Sequence, residues 1–439
     1  MTHGQPDELH IEQTGDQDAG TPDGQESVYQ EQKVSWLELF FDLIFVVAFD
    51  QLAKRLGQSP EAAAVLHFCL LFVAVWWAWA GNATFAARYG NETRVYRWGT
   101  LAQLVSLAMI ALTLRGDLSD TGAAFALAYG ASRIIQAGMY AAVARRGPGG
   151  IDFAGRMTLS FGLVAALWLV SALLQSGSGT QIGLWCAALV LDVLTPVVIR
   201  HHSHDALPHE GHLPERVGLL QIIALGAIVT EIVAGSRQQD LDANNLIPAL
   251  AAIVTSVALW RLYFDQARSL PLLGARVDHR VGVMLAWLYG HLPFTLAVVV
   301  LGVGLGHGLS AAGTAKAAGD QRMVGASLAL ALLTLAFLRW NSLRVTGQFF
   351  PDRSVPALLL GTGLAAGLLL IDLDTRGVHL AVAGLTVLVA LISATDPVTQ
   401  RMGRLEERVL EQLEEGNQPD SVEDALDQLP DPHTADTSA

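Results

Sequence analysis

The sequence predicts an all-α polytopic membrane protein with about twelve transmembrane helices, and three observations carry that prediction. Of the 439 residues, 52% are hydrophobic and only 15% are charged, whereas a soluble domain has about a quarter of its residues charged. Mean hydropathy is +0.39. Apolar runs of roughly 18 to 23 residues recur along the chain, each long enough to cross about 30 Å of hydrocarbon. Backbone groups in lipid have no water to bond, so such runs must be helices. They are too long for barrel strands and lack period-2 alternation.

Residues 1–33 form an acidic tail rich in Asp, Glu, Gln and Gly. It cannot bury enough surface to offset chain entropy, so disorder is expected. It also lacks the basic stretch, apolar core and small-residue site of a cleaved signal peptide. The apolar runs follow near 34–56, 61–80, 95–114, 122–144, 157–175 and 182–200, then 217–235, 246–264, 281–303, 322–340, 355–372 and 377–395. Residues 34–215 thus hold six runs and a His-rich loop, and 216–396 hold the other six. Asp396-Pro397 closes the last run. In the tail 397–439, Leu405, Val409, Leu410 and Leu413 recur at helical spacing and predict a short amphipathic helix. Beyond Gly416 the chain turns acidic, and disorder is expected again.

The formal net charge is −14, with the acidic excess in the tails, which argues against nucleic acid as a partner. Cys69 and Cys186 both lie in apolar runs, so neither a disulfide framework nor a thiolate metal site can be built. With the N-terminus inside, the inner segments hold about 17 Lys and Arg and the outer loops about 7. That bias places both termini in the cytoplasm, with the chain in the inner (plasma) membrane and membrane lipids as its surroundings. No pattern names a small-molecule or ion substrate, and the cofactor is unknown.

A charge within a membrane run costs at least ~2.5 kcal/mol near the centre, so each one needs a reason. Glu38 and Asp42 are four residues apart and share one helix face. They would repel if both were ionised without a cation between them. An interfacial role at the helix start is the plainer reading of Glu38. Neither can face lipid uncompensated, so a partner is expected among Arg133, Arg261, His67 and His291, or in Arg216 with its neighbour Glu215. His212 and Glu215 are spaced i, i+3 and could present a ligand or proton-sharing pair, although Pro214 marks this as a helix start. His201, His202, His204 and His209 precede them in a loop that is more simply solvated than metal-binding. Arg133 and Asp192 each call for a partner in the bundle, and Pro196 should kink the helix that carries Asp192. Arg261 and Asp265 are spaced for a local ion pair. Glu231 and His291 stand alone, His291 between Gly290 and Pro293. Trp76, Trp77 and Trp79 suit either an interfacial belt or a stacking wall. Gly302, Gly304 and Gly306 lie inside an apolar run, where they allow close helix packing rather than nucleotide binding. No Gly-x-Ser-x-Gly, His-Glu-x-x-His or Walker loop is found.

The stretch Glu-Leu-Phe-Phe-Asp-Leu-Ile-Phe-Val-Val at 38–47 resembles the opening signature of the bacterial low temperature requirement A family. His-Leu-Pro-Glu-Arg-Val-Gly-Leu-Leu-Gln-Ile-Ile-Ala-Leu-Gly at 212–226 resembles its second motif. Leu-Trp-Arg-Leu-Tyr-Phe-Asp at 259–265 and Tyr-Gly-His-Leu-Pro at 289–293 resemble its third and fourth. The resemblance implies a multi-pass membrane protein, in a family named for a growth phenotype and not for a reaction. Where that family usually has Glu after Leu-Gly, this chain has Ala227; Glu231, one turn later, is a candidate substitute.

Glu38 opens the first apolar run and Glu215 precedes the seventh, and an aromatic cluster follows each: Trp76-Trp77, then Trp260, Tyr263 and Phe264. This suggests two parallel six-helix repeats; coincidence among Leu- and Ala-rich helices is the alternative. Three functions are consistent with these residues. The favoured one is a transporter or channel with Glu38, Asp42, Glu215, Asp265 and His291 along a polar path. The others are an intramembrane enzyme or metal- or haem-binding protein acting on a lipophilic substrate, and a non-catalytic stress-response scaffold.

Overall fold

Every expected apolar run is a helix in the computed structural model, which describes residues 33–58, 62–146, 152–202, 207–236, 242–310, 317–347, 352–415, 417, 419 and 421–429. The N-terminal tail and His204 lie outside the described residues. The first six helices are α1 (Trp36–Gln58), α2 (Ala62–Tyr89), α3 (Arg94–Thr113), α4 (Leu118–Ala144), α5 (Phe153–Ser171) and α6 (Gly179–Val198). The second six are α7 (His212–Ser236), α8 (Ala243–Gln266), α10 (Val281–Ser310), α11 (Ala317–Leu343), α12 (Ser354–Gly367) and α13 (Thr375–Ala394). Between them lies the short α9 (Leu270–Val277), and α14 (Pro397–Glu414) and α15 (Val422–Asp427) end the chain. No strand occurs among the described residues.

Nine of these helices, counted among the described residues, are long and apolar enough to cross a membrane. The exact count of twelve is not confirmed by this measure. Of the remaining runs, α12 is only 14 residues long. Helix α1 carries Glu38, Asp42, Asp50, Lys54 and Arg55, and α4 carries Asp120 and Arg133. The expected kink residue Pro196 lies within α6.

The bundle buries many apolar residues, yet some helices present apolar residues to the outside and polar ones inward. On α3, Leu101, Val105, Met109 and Leu112 are exposed, while Thr100, Gln103 and Ser106 are buried. That inversion suits lipid, which is as apolar as leucine, so helices associate through packing and interhelical hydrogen bonds. Side-chain caps from Thr93, Asp152, Ser178 and Asp374 set where α3, α5, α6 and α13 begin.

Each helix pair that touches in the first set of six has a counterpart in the second, where α13 also reaches α10 and α11. In the first, α1 contacts α2 and α3, α2 also reaches α3, α4 and α6, and α3, α4, α5 and α6 pack in succession. In the second, α7 contacts α8 and α10, α8 also reaches α10, α11 and α13, and α10, α11, α12 and α13 pack in succession. The halves meet where α1 and α2 contact α7 and α10, and where α6 touches α10.

Glycines permit the closest approach. A Cβ on Gly302 would lie 3.0 Å from Ile228 Cα, and one on Gly306 would lie 2.5 Å from Glu231 O, both on α7. A Cβ on Gly304 would meet Val324 of α11. The alternating glycines of α10 thus seat two neighbours, as their place in an apolar run suggested.

Helix α14 carries the foreseen Leu405, Val409 and Leu413. They form a separate small core with Leu270, Leu273 and Val277 of α9. Glu406 accepts from the Ser269 backbone and hydroxyl, tying α14 to the α8–α9 turn. The tail beyond 416 was expected to be disordered throughout. Among its described residues, Val422, Ala425 and Leu426 instead bury into this core as α15.

Candidate functional site

Glu38 sits at the start of α1 and has two roles. With Ser35 it forms a reciprocal cap: its Oε2 accepts from Ser35 N at 2.8 Å and Ser35 Oγ at 2.9 Å, and its own N–H donates to Ser35 Oγ at 3.4 Å. Asn91 Nδ2 donates to the same oxygen at 2.8 Å. The other oxygen, Oε1, accepts from Arg216 Nη1 at 2.7 Å and lies 3.1 Å from His212 Nε2. One turn further on, Asp42 Oδ1 accepts from Arg216 Nη2 at 2.7 Å and from Trp79 Nε1 at 2.8 Å. Asp42 Oδ2 accepts from Arg216 Nε at 3.1 Å.

Glu38, Asp42, His212, Arg216 and Trp79 are all at most 1% exposed. The cluster is assembled from α1 and α2 of the first half and from α7 of the second. Two carboxylates share one guanidinium, with the His212 ring beside them. A fork of this kind satisfies both acids only while the halves stay in register. Isolated charges in the same place would be strongly destabilising.

A second, uncharged group continues the seam. Trp76 Nε1 donates to Thr295 Oγ1 at 3.3 Å, and Gln221 Nε2 donates to the same hydroxyl at 2.9 Å, joining α2, α7 and α10. Thr295 in turn donates to the His291 carbonyl at 2.6 Å. Inside the first half, Asn82 donates to Thr100 and Gln103, and Gln103 donates to Gln136.

Residues 33–392 match the family described as Bacterial low temperature requirement A protein (LtrA). The chain belongs to the LtrA family. It is 26% identical over 371 residues to an uncharacterized protein of Rhizobium meliloti (strain 1021), covering 82% of this chain and 88% of that relative. No solved structure matches. The ion cluster lies within the LtrA match, whereas α14 and α15 lie beyond it.

Not all the residues singled out in the sequence join the LtrA cluster. Glu215 is exposed and points away from Arg216, its neighbour; consecutive residues on a helix lie about 100° apart. Asp265 is paired locally, with Arg261 Nε 2.9 Å from its Oδ2. His291 Nδ1 bonds to the Trp287 carbonyl, and its ring lies against Trp287 and Tyr263. Glu231 is half-buried where α7 meets α10. Arg133 and Asp192 pair with each other, Nε to Oδ2 at 3.3 Å. His67 is half-buried twelve residues before Trp79 on α2, about 18 Å along the axis.

Trp76, Trp77 and Trp79 are buried and form no interfacial belt. Two of them act instead as hydrogen-bond donors inside the bundle. Sequence reasoning missed Trp79, Asn91, Gln221 and Thr295 as partners. The available signal was polar side chains recurring on one face of otherwise apolar helices. Among the described residues, no three His, Cys, Asp or Glu side chains come close enough to hold a metal ion.

Proposed function

We propose that this LtrA chain is a transporter or channel-like protein of the inner membrane, with both termini cytoplasmic, whose coupling element is the Glu38–Asp42–Arg216–His212 cluster. One observation carries the reading: the two acids of the first half are bridged by one arginine of the second half, at full burial. Loading one acid with a proton or cation weakens its hold on Arg216, and that contact spans the two halves. The Trp76–Thr295–Gln221 group extends the polar line along the same interface.

The halves, 34–215 and 216–396, are read as a parallel duplication. The repeated helix neighbours support this. So does a buried arginine on the fourth helix of each half: Arg133 pairs with Asp192 of α6, and Arg339, bonded to Asp352 at 2.9 Å, also lies 3.8 Å from Asp396 at the end of α13.

The test is current recording on proteoliposomes adsorbed to a solid support, during jumps of pH, of alkali cations and of small organic acids and bases. A transporter gives transient currents absent from protein-free vesicles. Silence across that panel, from protein shown to be folded, contradicts the proposal. For orientation, cysteines placed at Arg146 and Arg276, with Cys69 and Cys186 replaced, should resist an impermeant thiol reagent in intact cells. Labelling at either overturns the cytoplasmic assignment.

A further inference from the structure

A second pair of acids shares one arginine where the membrane helices meet the C-terminal ones. Asp396 is buried at the junction of α13 and α14. Its Oδ1 accepts from Val398 N at 3.1 Å and caps α14. Its Oδ2 accepts from Arg353 N at 3.1 Å, Ser354 N at 3.2 Å and Ser354 Oγ at 2.8 Å, all at the start of α12. One carboxylate thus staples two helix starts together. Asp352 Oδ1 accepts from Arg339 Nη2 at 2.9 Å and Nε at 3.3 Å, and its Oδ2 accepts from Val355 N at 2.9 Å. The same Nη2 stands 3.8 Å from Asp396 Oδ2, so one buried nitrogen faces both acids.

Two ionised carboxylates on one guanidinium leave an excess negative charge in a buried place, which disfavours ionisation of both. A single proton removes the excess. Asp396 is held ionised by its backbone and hydroxyl donors, whereas burial, together with the hydrogen bond to Asp396, favours the protonated form of Asp352. The other charged groups nearby come from several elements. Arg268, just after α8, reaches Thr399 O at 3.4 Å and Glu406 Oε2 at 3.5 Å on α14. Asp265 of α8 is paired with Arg261. Arg353 is exposed, and Arg401 is half-buried on the next turn of α14. Helices α14 and α15 form a strap across the bundle end. Beyond the shared core with α9, Val422 N donates to Asp278 Oδ1 at 3.3 Å. A Cβ on Gly347 would lie 2.6 Å from Glu423 Oε2, so α15 also rests against the turn after α11.

We infer that Asp352, Asp396 and Arg339 form a proton-operated latch for this strap. With one proton shared between the acids, Asp396 holds the start of α14 against the start of α12. When that proton leaves, two anions face each other across one guanidinium, and α14 with α15 loosens from the bundle. The protonated form is the latched one, so the latch is closed in acid and opens as pH rises through the value at which Asp352 ionises. The latch lies apart from the Glu38–Asp42 cluster and can be read without any transport.

The experiment is hydrogen–deuterium exchange of the full chain in nanodiscs, from mildly acidic to mildly alkaline pH, with rates corrected for the intrinsic effect of pH. The backbone amides of α14 should lose at least about tenfold in protection as pH rises, the factor that one pKa unit brings. Those of α4, in the first half, should not change. Asp352→Asn puts a neutral amide in place of the protonated acid, and its α14 should stay protected throughout. If that variant does not fold, infrared difference spectra of the parent protein read the proton itself: the C=O band of a protonated carboxyl should disappear over the same pH interval in which α14 loses protection. Protection of α14 that ignores pH, a loss shared equally by α4, a pH response kept in folded Asp352→Asn, or no carboxyl band changing over that interval would overturn the latch.

Discussion

Arg216 grips Asp42 with two parallel donors, Nη2 to Oδ1 at 2.7 Å and Nε to Oδ2 at 3.1 Å, across 174 positions of sequence. The fork leaves Nη1 for Glu38, so one side chain serves two acids. Replacing Arg216 by Gln strands both carboxylates and should lower stability by about 3–5 kcal/mol. Adding Asp42→Asn should recover part of that loss, with a coupling of about 1–3 kcal/mol in a double-mutant cycle. Arg216→Lys should not rescue, since an ammonium cannot reproduce the fork. Unfolding in detergent reads each value, and strictly additive effects would show that the pair does not interact.

Trp79 is a donor as well as a packing residue. Trp79→Phe keeps most of the ring but leaves Asp42 without its 2.8 Å partner, and should cost about 1–3 kcal/mol. Trp76→Phe should cost less, because its bond is longer at 3.3 Å and Thr295 keeps Gln221. The comparison is made on unfolding midpoints; the reverse order would remove the hydrogen-bond account.

Gly306 tests the α7–α10 contact. A Cβ there would lie 2.5 Å from Glu231 O, so Gly306→Ala must push the helices apart, at about 1–3 kcal/mol. Gly226, on the same α7 but with nothing within 4 Å of its Cβ position, is the control. Gly226→Ala should be neutral or mildly stabilising. Equal effects at both sites would contradict the packing described.

Two acids outside the membrane runs should give opposite pH responses. Burial would raise Asp396, but the hydrogen bond it shares with Asp352, then those from Ser354 and the Val398 backbone, hold it below the ordinary aspartate value of 3.8. Its contribution is present above 3.8 and lost as pH falls through its folded value, so Asp396→Asn should destabilise at neutral pH and matter less in acid. Burial, together with the hydrogen bond it shares with Asp396, raises Asp352 above 3.8 despite the facing Arg339. Its contribution is present below 3.8 and lost as pH rises through the raised value, so Asp352→Asn should gain on the parent protein across that interval. Unfolding temperature measured against pH checks both slopes.

Helix positions were legible because an apolar run in lipid admits one backbone solution. Glu38 and Asp42 were legible as an inward face because two acids one turn apart cannot both meet hydrocarbon. Their partner was narrowed to a short set but not chosen, since the periodicity of α7 does not say which of Glu215 and Arg216 turns inward. The structure turns Arg216 inward and leaves Glu215 exposed. The tryptophans of α2 were misread because an amphipathic ring suits an interface and a buried acid equally well. Helices α1 and α4 fall outside the nine spans that length and composition alone select, because the charges they carry are matched only by partners on other helices. Helix α9 and the small core beneath α14 had no signal of their own, as eight residues between two long helices read as a loop.

The central claim is that the acid–arginine seam couples ion or proton binding to movement between the halves. It is tested most directly by comparing proteoliposome currents of the parent protein and Asp42→Asn across a pH series, at matched amounts of folded protein. Asn keeps the volume and removes the titratable group. The account predicts at least about a tenfold loss of current and disappearance of its pH dependence; a folded Asp42→Asn protein with unchanged currents and an unchanged pH profile would contradict it.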